Sequence, residues 1–77
     1  MTLRDRYALG LSAFGYQRSV TTSKKYWLYV KHGASPTYFW LGKAGSVRYS
    51  NLNRIDSGLA ASEKTKASIL AKAVPDQ

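Results

Sequence analysis

Apolar side chains open the chain at Leu3, Tyr7, Leu11 and Phe14, in steps of four, four and three, and so share one side of a helix. Thr2 and Asp5 stand where a capping box would start that helix, and Gly15 stands where it would stop. The pattern predicts a helix over about 3–14, although Gly10 weakens it by about 1 kcal/mol relative to alanine. The competing reading is a strand or loose arm over 7–16. Residues 17–23 are polar and β-branched, which suits a short strand or an exposed connector. From Lys24 the period shortens. Val, Tyr and Trp crowd 24–31, and the turn residues Gly33, Ala34, Ser35 and Pro36 follow at once. A second strand is expected over 38–42, a turn over Gly42-Lys43-Ala44-Gly45, and a third strand over 46–50.

Asp56-Ser57-Gly58 reads as a turn or the cap of a short helix. Ser62 then caps a helix over 63–73, with Glu63 in its acid-favouring first turn, Lys72 in its basic last turn and Pro75 closing it. Its apolar stripe is narrow: Ala67, Leu70, Ala71 and Val74, with Ile69 and Ala73 alongside. The fold expected is therefore α+β, one small domain over 1–77. It is built on an antiparallel three-stranded β-meander (24–31, 38–42, 46–50), with a C-terminal helix and an N-terminal one.

Alternate side chains of a strand share a face. The first strand separates Lys25, Trp27, Tyr29 and Lys31 from Tyr26, Leu28 and Val30, and the aliphatic set is assigned to the core. The second separates Tyr38 and Trp40 from Phe39 and Leu41, with the latter pair inward. An outward face then carries Trp27, Tyr29, Tyr38 and Trp40, framed by Lys25 and Lys31. Arg48, out of phase with Val47 and Tyr49, extends it. Exposed rings at this density mark a binding surface, and their mixture with lysines resembles in kind the stacking platforms that hold unpaired bases. The alternatives are that these rings are core material or cross-strand stabilisers, which contribute roughly 0.2–1 kcal/mol per pair, or a protein-docking surface.

Charge sharpens this picture. From Arg6 to Ile55 there is no acidic residue, and all ten aromatic residues fall inside that window. It also holds Arg6, Arg18, Lys24, Lys25, Lys31, Lys43, Arg48 and Arg54. A net charge of +8 on an 8.6 kDa chain costs self-repulsion, which an acidic partner would relieve. At 77 residues the core is thin, burying roughly 60–65% of the surface the unfolded chain exposes. The absence of cysteine removes any disulfide framework and is compatible with a reducing, cytoplasmic home. No apolar run is long enough to span a bilayer, and Ala8–Phe14 follows Arg4-Asp5-Arg6 without a cleavage site, so no signal peptide is expected.

Catalytic and metal chemistry find little support. Leu41-Gly42-Lys43-Ala44-Gly45-Ser46 has the look of a phosphate loop, but a Walker motif needs glycine where Thr37 stands and a hydroxyl where Ala44 stands. Lys43 with the Gly45 and Ser46 amides keeps only a lesser phosphate-contacting role. The single histidine, His32, has no cysteine and few carboxylates with which to hold a metal, and nothing pairs it with a nucleophile. Asp5, Asp56 and Glu63 are too scattered for paired-carboxylate catalysis and read better as capping residues. No catalytic residue, metal site or cofactor is expected.

The sequence thus points to a non-catalytic nucleic-acid-binding protein, for single-stranded DNA or RNA before duplex. Trp27, Tyr29, Tyr38 and Trp40 would stack on bases, while Lys24, Lys25, Lys31, Lys43, Arg48 and Arg54 would hold phosphates. Lys64, Lys66 and Lys72 read first as a solvated helix face and second as a further phosphate-contacting edge, and Arg4, Arg6 and Arg18 as a basic N-terminal patch. The duplex variant would lay the strands in the major groove with Arg48 and Lys31 at base edges. The alternative function is a small assembly protein of a virus particle or ribonucleoprotein, a homo-oligomer or a docking partner through its aromatic face. A membrane partner is not expected, because the C-terminal helix has mostly alanine on its apolar side.

Overall fold

In the computed structural model, which describes residues 1–20, 25–34, 36–50 and 58–73, the N-terminal capping box forms as its chemistry dictates. The Asp5 amide donates to Thr2 Oγ1 at 3.1 Å, and the Thr2 amide and hydroxyl both donate to Asp5 Oδ2, at 3.0 and 2.8 Å. These bonds hold the Asp5 carboxyl below its ordinary value, chiefly through the Thr2 amide. Helix α1 spans Leu3–Ala13, and Ser62 caps helix α2, Glu63–Lys72, by accepting from the Thr65 amide at 3.2 Å.

Between the helices run β1 (Gln17–Arg18), β2 (Tyr26–Lys31), β3 (Thr37–Gly42), β4 (Val47–Ser50) and β5 (Leu59–Ala60). Each pairs antiparallel with its chain neighbour, in the order β1-β2-β3-β4-β5. The expected three-stranded meander is the centre of this sheet, and the structure adds a two-residue strand at each edge. Turn chemistry places the β3–β4 hairpin: Gly45, at φ 94°, donates to the Gly42 carbonyl at 2.9 Å and lies against Leu3 of α1. The Gly45 amide is thereby committed to the turn, which removes it from the phosphate-contacting role assigned to it. The Asp56-Ser57 turn, Val74, Pro75 and the first residue of the 24–31 strand lie outside the described residues.

The core lies between the sheet and both helices. Tyr7 and Leu11 of α1 and Ile69 of α2 meet Tyr29, Leu41 and Val47 of the sheet, with Ala61 closing the side. Gly10 is where the helices cross, since a methyl there would collide with the Ile69 carbonyl. The stripe of α2 is rotated from the expected one. Ile69 is buried with Leu70 half-buried beside it, while Ala67 and Ala71 are exposed. In α1 the expected stripe holds only at its middle, for Leu3 and Phe14 keep substantial exposure. No helix among the described residues is long and apolar enough to cross a membrane.

Candidate nucleic-acid interface

Register decides which rings share a face, because paired residues of antiparallel strands project to the same side. Trp27 stands opposite Leu41 and Tyr29 opposite Phe39, which stands opposite Tyr49. Trp27, Tyr29, Phe39, Leu41, Val47 and Tyr49 therefore all look toward the helices. This corrects the outward assignment of Trp27 and Tyr29. Tyr29 is 5% exposed, and burial pushes its phenol above the ordinary value of 10.0. The physical reason is volume. Around Gly10 and Ala8 the helices leave room that Tyr7, Leu11 and Ile69 fill only in part, so large rings from the sheet complete the layer.

Trp27 is half-buried and already stacked. The guanidinium of Arg4 from α1 stands 3.9 Å from the centre of the indole, and that of Arg18 from β1 stands 4.0 Å from it. Of the three arginines expected to form a basic N-terminal patch, Arg4 and Arg18 are turned onto a tryptophan. Arg4 Nη1 is buried without a hydrogen-bond partner among the described residues.

The opposite side of the sheet carries Tyr26, Leu28, Val30, Tyr38, Trp40 and Arg48. The outward phase expected for Tyr38, Trp40 and Arg48 holds, whereas Tyr26, Leu28 and Val30 were assigned to the core side and are not on it. Phase does not bring exposure. Trp40 is 9% exposed, its ring 6.1 Å from that of Tyr38, and it is flanked in register by Leu28 and Arg48. Arg48 is half-buried and donates through Nη2 to the Gly58 carbonyl at 2.7 Å. The four-ring platform is thus divided between two faces, and neither tryptophan presents an open ring.

The phosphate-binding candidates separate in the same way. Lys25, at the entry to β2, and Lys43, in the β3–β4 turn, line one concavity of about 370 Å³ together with Tyr26, and Tyr26 is 40% exposed. Lys31 lies at the other end of β2, exposed, with its ammonium 5.9 Å from the ring of Tyr16. Lys31 and Arg48 project from opposite faces. Lys24 and Arg54 lie outside the described residues. On α2, Lys66 pairs with Glu63 at 2.9 Å, which raises the lysine above its ordinary value, while Lys64 and Lys72 are exposed.

The sequence reading missed Tyr16 and gave Tyr26 to the core. Tyr16 follows the helix-ending Gly15, and that break, which frees its side chain from the helix pattern, is the signal that could have singled it out. No family model matches the chain, and no curated protein or solved structure matches it either.

Proposed function

We propose that this protein is a non-catalytic nucleic-acid-binding protein that takes single strands in preference to duplex. The observation that carries the reading is the exposure of Arg6, Arg18, Lys25, Lys31 and Lys43, all within a stretch of sequence that contains no carboxylate. Exposed cations spread over a small surface attract a polyanion and release its counterions on binding. Lys25, Tyr26 and Lys43 add an accessible ring lining one concavity with two lysines, a unit suited to one base and its neighbouring phosphates. Single strands are favoured because the duplex arrangement needs Arg48 and Lys31 on one face, and these two project from opposite faces. A cytoplasmic location belongs to the same proposal.

The test is an anisotropy titration of labelled single-stranded DNA, RNA and duplex DNA at two salt concentrations. With about 4–6 phosphates contacted, the log–log salt slope for a single strand should lie near −3 to −4. Tryptophan fluorescence should change little, because Trp27 is stacked and Trp40 buried. Affinity that ignores salt sinks the reading, and duplex outcompeting single strand removes the preference.

One observation favours the alternative, a small assembly component of a virus particle or ribonucleoprotein. Leu59, on the outer strand β5, is 66% exposed. A defined oligomer in light scattering, lost in Leu59→Lys, would support it.

A further inference from the structure

Helix α2 packs against α1, and between its first turns and the sheet a groove of about 360 Å³ remains open. Tyr16 and Phe39 line it edge to face, with ring centres 5.3 Å apart at 79°. Phe14 from the end of α1 lines it too, as do Thr65 and Ser68 from α2. A second compartment of about 280 Å³ shares Tyr16, Phe39 and Thr65 and adds the rings of Tyr38 and Tyr49 and the hydroxyls of Thr37 and Ser50. Cations surround these rings. Lys31 and Lys64 line the groove, and the Lys72 ammonium lies 5.7 Å from the Phe14 ring. Among the described residues, no carboxylate lines either compartment.

Aromatic walls, hydroxyls that donate and accept, and ammonium groups together match one ligand chemistry: a flat polar heterocycle attached to phosphate. The volume is in the range of small-ligand sites, and rings placed edge to face offer a flat ligand a stacking face and an edge contact. We propose that this groove holds one unpaired nucleobase of a bound single strand, stacked against Tyr16 and Phe39, with its flanking phosphates on Lys31 and Lys64. The inference rests on the nucleic-acid reading and gives it a base-selective site distinct from the Lys25–Lys43 corner. A base still paired in a duplex reaches such a groove only after unstacking, which adds to the preference for single strands.

The test compares a short thymidine oligomer with the same oligomer carrying abasic sites, on the wild-type protein and on Ser68→Trp, whose new ring would fill the groove from an exposed position. Wild type should lose roughly 5- to 150-fold in affinity on base removal, the equivalent of about 1–3 kcal/mol for one stacked base. Ser68→Trp should bind the intact oligomer nearly as weakly as wild type binds the abasic one. A second measurement needs no variant: the ring signals of Tyr16 and Phe39 in the wild-type NMR spectrum should move with the intact oligomer and stay with the abasic one. Equal, salt-dependent affinity for both oligomers would overturn the groove and leave the nucleic-acid reading standing. Absence of salt-dependent binding to either would overturn both. A wild-type oligomer that Ser68→Trp dissociates, with base discrimination unchanged, would assign the groove to contact between copies of this chain and overturn its role as a base site.

Discussion

The two sides of the sheet use aromatic residues differently. On the helix side, Tyr29, Phe39 and Tyr49 close a core with Tyr7, Leu11 and Ile69, and Trp27 lies at its margin beneath arginines. On the other side, Trp40 and Tyr38 pack on each other beside Leu28 and Arg48, while Tyr26 at the corner keeps an accessible ring. A count of rings in a basic sequence therefore overstates how many can stack on a base. In a domain this small most of them are building material. The rings that keep accessible surface lie at the margins of the sheet, at Tyr26 and along the Tyr16–Phe39 groove.

The largest test of this contrast is truncation on each side. Leu41 is fully buried in the core shared by the sheet and the helices, so Leu41→Ala should lower unfolding stability by about 2–5 kcal/mol. Val30, half-buried on the other side, should cost about 1 kcal/mol when cut to alanine. Denaturant midpoints would measure both. Equal losses would break the contrast, by showing that the second side is as much a core as the first.

A smaller effect separates the two arginines over Trp27. Arg18 is exposed, and Arg18→Met should cost about 0.5–1 kcal/mol from the lost cation–ring contact. Arg4 makes the same contact but buries Nη1 unpaired, and an unsatisfied donor costs about 1–3 kcal/mol. Arg4→Met, which keeps the packing of the stem, should therefore be neutral or stabilising. Thermal melts of the two variants decide this, and a large loss in Arg4→Met would mean that the guanidinium is satisfied in solution.

The smallest effect is alkaline. Because burial raises the Tyr29 phenol, the unfolded chain ionises at lower pH than the folded one. Its contribution to stability is thus complete below pH 10.0 and is lost as pH rises toward and through the folded value. Tyr29→Phe should flatten that part of the stability profile above pH 10.0 while leaving the neutral range nearly parallel. An unchanged alkaline slope would place the phenol in water and restore an outward Tyr29.

Elements whose causes are local could be read along the chain. Thr2 with Asp5 and Ser62 with Glu63 start the helices, and the glycines at 42 and 45 turn β3 into β4. Alternating Val, Tyr, Trp and Phe make the central strands, for the reasons that hold in any chain. The charge could be read there too, since carboxylates missing from Arg6 to Ile55 stay missing in every conformation. The tertiary structure decided the phase of β2 and the place of the groove. Both alternating sets of β2, Trp27 with Tyr29 and Leu28 with Val30, are apolar, so hydrophobicity cannot choose between them. The pairing of Trp27 with Leu41 and the volume left under two slender helices choose instead. Tyr16 and Phe39 meet only because β1 and β3 flank β2 while α2 leans on α1, a long-range arrangement that no local pattern encodes.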